Sequence, residues 1–196
     1  MSFGESAVAE LVLFRTNIIL GLLKSNISVW LVESDSFWLK DPSAKVLSTE
    51  GDIVVMNGLS GTEKLPHGGF QLLRPTAATV SLWEKFVSGL TTAMQTPIKG
   101  KTIRAIDNAP QIMFRNLIEE QGSRLQVGWL PSQDFVAGYF FREKEIRTSV
   151  PDPTVLLNNY IIGNGNKILR AKEWGFWFLK EDGTCDDARP RTTFLG

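Results

Sequence analysis

Ile27-Ser28-Val29-Trp30-Leu31-Val32-Glu33-Ser34-Asp35-Ser36-Phe37-Trp38-Leu39-Lys40-Asp41-Pro42 is the stretch on which the reading of this sequence turns. Ile27 to Val32 is short, rich in β-branched and aromatic residues and apolar at nearly every position. That pattern predicts a strand covered on both faces, the central strand of its sheet. The run becomes acidic within one step at Glu33-Ser34-Asp35 and is closed by Asp41-Pro42, a turn-starting pair. A strand that ends in carboxylates places them where open α/β sheets bind ligands. Extended backbone points positions two apart to the same side, so Glu33 and Asp35 are expected to converge on one cation. A hard divalent ion takes such carboxylates together with phosphate oxygens and water.

On the N-terminal side, Val8, Leu11, Val12, Ile18, Ile19 and Leu22 recur at helical steps and predict an amphipathic helix from Ser6 to Lys24. On the C-terminal side, Asp52 to Met56 and Phe70 to Leu73 predict buried strands, separated by a glycine-rich loop from Asn57 to Gly68. Val80, Trp83, Phe86, Val87 and Leu90 lie on one face of a helix from about Thr79 to Gln95. A further helix is capped by Asp107 or Asn108, has Pro110 in its first turn and ends at Gly122. Leu125 to Leu130 reads as a strand, and the aromatic and charged segment from Ser132 to Pro153 as loop and edge strand. Val155 to Leu157 reads as a short strand. Gly163-Asn164-Gly165-Asn166 then opens a helix from Lys167 to about Phe178, and the tail over residues 181–196 is polar. Strands alternating with helices predict an α/β domain with a mostly parallel central sheet flanked by helices.

At 196 residues the chain has room for one domain, and 43% hydrophobic with 21% charged residues is the composition of a chain that buries a core. Lys+Arg and Asp+Glu are both 21, so no global field attracts nucleic acid or an anionic membrane, and phosphate recognition must be local. One cysteine, Cys185, excludes an intramolecular disulfide and a thiolate zinc cluster. The most apolar early stretch, Leu11 to Leu23, is broken by Arg15, Thr16 and Asn17 and is too short to span a membrane.

Taken together, Phe14-Arg15-Thr16, the block from Glu33 to Pro42, Gly68-Gly69-Phe70-Gln71-Leu72-Leu73-Arg74-Pro75-Thr76, Asn158-Asn159-Tyr160-Ile161-Ile162-Gly163, Lys167 and Arg170-Ala171-Lys172-Glu173-Trp174-Gly175 resemble the nucleotide-diphospho-sugar transferase domain of GT-A-type glycosyltransferases. The resemblance runs in order through most of the chain and implies a single, partial domain over residues 1–196 with a GT-A-like fold, incomplete at its N-terminus. It implies transfer of a sugar from a nucleoside diphosphate, commonly UDP, to an acceptor hydroxyl on a glycan or glycoprotein. It also implies residence in the Golgi lumen behind a membrane anchor. Asp35 takes the place of the second acid of the family's DxD motif, and Glu33 that of the first, so both are expected to hold Mn2+ or Mg2+ against the diphosphate.

The same resemblance assigns Gly68, Gly69, Asn108, Gln111, Asn158, Gly163 and Lys167 to donor binding, and no catalytic base. A glycine-rich turn at a helix N-terminus followed by a lysine is by itself a reasonable diphosphate cradle. The chain departs from the family at two positions. Pro110 stands where a carboxylate is usual, and Leu157 where a metal-binding histidine is usual. Fewer ligands imply weaker metal affinity. His67 lacks the clustered partners that mark a metal site. The alternatives are a catalytically degenerate GT-A-like binding module or inactive fragment, and a transferase that balances charge with Lys167 and arginines.

Overall fold

The structure is a computed structural model of the whole chain and describes residues 6–59, 64–95 and 109–186. Asp107 and Asn108 lie outside the described residues, as does the tail beyond Asp186. Strands are β1 (Val29–Val32), β2 (Ser36–Trp38), β3 (Ile53–Asn57), β4 (Pro66–Leu73), β5 (Val127–Trp129), β6 (Phe135–Val136) and β7 (Val155–Leu157). Helices are α1 (Ser6–Lys24), α2 (Ser43–Ser48), α3 (Ala77–Gln95), α4 (Ala109–Gln121), α5 (Lys144–Ser149) and α6 (Asn164–Glu173). A four-stranded sheet runs β1-β4-β3-β5, and a three-stranded sheet runs β2-β7-β6.

The α/β class holds, but the sheet is mixed rather than mostly parallel. In the four-stranded sheet β4 pairs antiparallel with both β1 and β3, and only β3 with β5 is parallel; in the small sheet β6 with β7 is parallel and β2 with β7 antiparallel. Periodicity reports which faces of a strand are covered and carries no information on its direction. β1 also lies at the edge of its sheet, not at the centre. Its apolar faces are covered all the same, by α1 on one side and by Trp38 and Phe70 around Trp30 on the other. The strands buried on both faces are β3 and β4: every residue of β3 is buried, and in β4 only Gly68 is partly exposed.

The molecule is layered. Ile53, Val55 and Leu73 face α1, α3 and α4, where they meet Ile19, Leu23, Leu82, Trp83, Phe86 and Phe114. The other face of the same sheet presents Val54, Met56, Phe70 and Leu72 to Phe135, Val155 and Leu157 of the small sheet. Beyond that sheet a third cluster joins Leu156, Phe140, Phe141, Ala171 and Phe176. Alternation along β3, β4 and β7 supplies one side chain set to each layer.

α1 has its expected bounds, yet its buried stripe is Val12, Thr16, Ile19, Leu20 and Leu23, while Leu11 is 64% and Ile18 49% exposed. Thr16 can occupy the apolar face because its hydroxyl bonds the Val12 carbonyl at 2.7 Å and its own carbonyl accepts Trp83 Nε1–H at 3.0 Å. α6 begins at Asn164 and stops at Glu173, so Trp174, Trp177 and Phe178 follow the helix rather than line it. Gly163 starts the helix at φ 89°, a left-handed conformation that glycine adopts without strain, and Gly122 ends α4 at φ 53° as expected.

Candidate functional site

β1, the turn after it, the start of β4, the end of β7 and the first turns of α6 meet at one corner. Glu33 leaves β1 and the chain turns at once, with Ser36 N–H and the Ser36 hydroxyl both donating to the Glu33 carbonyl. The expected extended geometry is therefore absent, and the two carboxylates face different partners. Asp35 Oδ2 lies 2.5 Å from Lys167 Nζ, with the two side chains only 17% and 20% exposed. Glu33 instead lies beside Gly69 and Arg15, its Oε1 3.9 Å from the Arg15 guanidinium.

The backbone of Glu33 is pinned by donation of its N–H to the Gly69 carbonyl at 2.8 Å. A Cβ at Gly69 would sit 2.7 Å from Glu33 Oε2, so this glycine makes the space that the carboxylate fills. Burial raises the Glu33 pKa, nearby Asp35 adds to the rise, and Arg15 and Lys167 oppose it. Gly68 points to the other side of β4, where an added Cβ meets nothing within 4 Å.

Asn158 is the hub that joins the strand end to the helix. Its N–H donates to the Asp35 carbonyl at 2.8 Å, its Nδ2 donates to the Lys167 carbonyl at 3.0 Å, and its Oδ1 accepts from Arg170 Nε at 2.6 Å. Arg170 also donates to the Asn159 carbonyl at 2.6 Å. Asn158 thus positions Asp35 and Lys167 relative to each other, with its N–H and both side-chain polar atoms used by protein. The Lys167 N–H closes on the Gly163 carbonyl at 3.1 Å, which sets the first turn of α6.

His67 is buried beneath this corner. Its Nδ1 accepts the Gly69 N–H at 3.0 Å, and its Nε2 lies 2.9 Å from Asn159 Nδ2. Burial lowers its pKa to about 4, the Lys167 charge contributing in the same direction and Asp35 opposing. The unfolded chain takes up a proton near pH 6.5 and the folded chain only near pH 4, so stability is fully present above pH 6.5 and is lost as pH falls toward 4. The loss expected between pH 7 and pH 4.5 is about 2–3 kcal/mol, at ~1.4 kcal/mol per pH unit. Glu33 acts in the opposite sense, costing stability as pH rises past its ordinary value. Urea midpoints of the wild type and His67→Gln, measured across this range, therefore separate the two: the variant should lack the acid-side loss assigned to His67.

Of the sequence-predicted residues, Glu33, Asp35, Gly69, Asn158, Gly163 and Lys167 come together here. Gln111 lies partly buried in the first turn of α4, and none of the described hydrogen bonds joins it to the corner. Arg15, His67, Asn159 and Arg170 complete the network and were not among the assigned site residues. Arg170 had a signal, since Lys167 and Arg170 are three apart and share a face once both are helical. A hollow of about 380 Å³ lined by Leu47, Glu50, Asp52, Arg74 and Gln126 lies toward the opposite end of β4, where Arg74 is held by the carbonyls of Leu47, Thr49 and Gly51.

The corner is a poor fit to a divalent ion. Among the described residues no group of three or more His, Cys, Asp or Glu side chains is arranged for a metal. Leu157, at the place of the family histidine, is 1% exposed and packs in the layer between the sheets. One of the two remaining acids is already paired with an ammonium group.

Residues 1–170 match the family described as nucleotide-diphospho-sugar transferase. A curated relative, the UDP-D-xylose:L-fucose alpha-1,3-D-xylosyltransferase 1 of Arabidopsis thaliana, is 24% identical over 200 residues, covering 92% of this chain and 53% of the relative. The chain thus spans about half the length of that protein. No solved structure matches.

Proposed function

Because this chain belongs to the nucleotide-diphospho-sugar transferase family, we propose that its Asp35–Lys167 corner holds the diphosphate of a nucleotide-sugar donor, with UDP as the nucleotide. The observation that carries the reading is the partly buried Lys167 ammonium fixed beside the first turn of α6, close to the only glycine pair in β4. An N-terminal helical turn and a lysine together attract phosphate oxygens. The same groups would stabilise the diphosphate as it departs, which is where charge develops in sugar transfer. The bond from the anomeric carbon to the diphosphate oxygen breaks with its electron pair going to the diphosphate, a bond to the acceptor oxygen forms, and the hydroxyl proton passes to water or to the departing diphosphate.

The donor set comprises Glu33, Asp35, Gly69, Gly163 and Lys167, with Gly68 offering open backbone beside it. Asn158 and Arg170 are positioning residues. The acceptor would be a glycan or glycoprotein hydroxyl, and the setting the Golgi lumen. No helix among the described residues is long and apolar enough to cross a membrane.

Calorimetric titration with UDP tests the reading. Lys167→Met should weaken binding by at least about tenfold, the worth of one charge-assisted hydrogen bond. Equal affinity for the wild type and the variant would remove Lys167 from the donor site. A non-catalytic glycan-binding module is the second reading, favoured by Leu157 and Pro110 standing where the family places functional side chains. It requires glycan binding without UDP binding.

A further inference from the structure

We propose that Lys167 takes the place of the divalent cation, so that the donor diphosphate is bound without a metal ion; this rests on the donor reading above. A metal site at this corner would have to begin with Glu33 and Asp35 ionised and open to the ion. The structure arranges them otherwise. Asp35 is paired at 2.5 Å with Lys167 in a partly buried setting, and Glu33 is paired with Arg15 at 3.9 Å. The four formal charges cancel, which is the balance that two carboxylates and a divalent ion would reach.

The remaining ligand positions are closed. Leu157 is buried among apolar side chains, and both nitrogens of His67 face polar partners in Gly69 and Asn159. The pair is fixed rather than incidental, because one residue, Asn158, holds the backbone of both members, its N–H donating to the Asp35 carbonyl and its side-chain Nδ2 to the Lys167 carbonyl. A divalent ion entering at Asp35 would sit against the Lys167 charge, and like charges about 4 Å apart repel by several kcal/mol even at the effective dielectric of a protein surface. Within the donor site, a tethered ammonium supplies positive charge to phosphate oxygens as a point charge, the role lysine plays in other phosphate sites.

Mn2+ alone, titrated into the full chain and followed by electron paramagnetic resonance, separates this proposal from the reading it rests on. The wild type should bind Mn2+ no more tightly than about 1 mM, and Lys167→Met should gain at least about tenfold as Asp35 is released. Lys167→Arg keeps the charge and should behave as the wild type. Micromolar Mn2+ binding by the wild type that Asp35→Asn abolishes overturns the proposal. UDP titration in EDTA and in Mn2+ supplies the second arm, with affinities expected to agree within about threefold. Tightening by Mn2+ of about tenfold or more overturns metal independence while leaving the donor reading intact. Absence of UDP binding in both conditions overturns the donor reading and, with it, the assignment of a diphosphate to Lys167.

Discussion

Truncating Trp83 to alanine is expected to remove about 3–5 kcal/mol of stability, the range for losing a large aromatic from a packed core. The indole is 1% exposed and makes edge contacts with Phe86 and Phe114, with ring centroids 5.4 and 5.6 Å away. Its Nε1–H also satisfies the Thr16 carbonyl, so it ties α1 to α3 through a polar bond inside an apolar layer. Against a typical total of about 5–15 kcal/mol, such a loss leaves a large unfolded fraction at 37 °C. Trp83→Phe keeps most of the ring surface, loses the hydrogen bond and should cost about 1–2 kcal/mol. Urea denaturation followed by circular dichroism measures both. Similar midpoints for the alanine variant and the wild type would show that the helical layer closes without this side chain.

The second large effect is expected at Arg170. Its guanidinium bonds Asn158 Oδ1 and the Asn159 carbonyl and lies 4.4 Å from the Phe141 ring centroid. Arg170→Leu leaves two acceptors without their charged donor at a corner that is largely closed to water. At about 1–3 kcal/mol for each unsatisfied group, the expected loss is roughly 3 kcal/mol. Lysine should not restore it, because a single ammonium cannot reproduce the planar fork. UDP affinity of the folded fraction should fall as well, since Asn158 is what aligns Asp35 with Lys167. Trp83→Ala carries no such penalty on affinity. If Arg170→Leu lowered stability and left UDP binding unchanged, Asn158 would keep its place without the arginine.

Local order was legible in the sequence wherever one residue pattern has one physical reading. The bounds of α1 and the positions of β3, β7 and α3 followed from apolar spacing. Gly122 was identifiable as a helix end because only a left-handed residue suits that position. The direction of β4 was not legible, since alternating burial is the same for either direction. β1 read as central because an apolar strand whose faces are covered by a helix and by stacked tryptophans has the composition of an interior strand.

The stripe of α1 misled for a related reason. Thr16 counts as polar in any periodic reading, whereas here its hydroxyl is satisfied by its own helix and the residue is buried. For the corner, Asp35 and Lys167 are far apart in the chain, and no local pattern connects them. Only the ordered resemblance placed them in one site, and it could not show that they would pair with each other. The resemblance assigns Asn158 to the donor, and in the structure its N–H and both side-chain polar atoms bond Asp35, Lys167 and Arg170.

That crowding around Asn158 has a mechanical meaning. Lys167 and Arg170 are one turn apart on a rigid helix, and the second of them rests on the aromatic slab formed by Phe141, Phe176 and Phe37. Through this one guanidinium the polar corner and the outer aromatic layer share a wall, so neither can be repacked without disturbing a contact of the other.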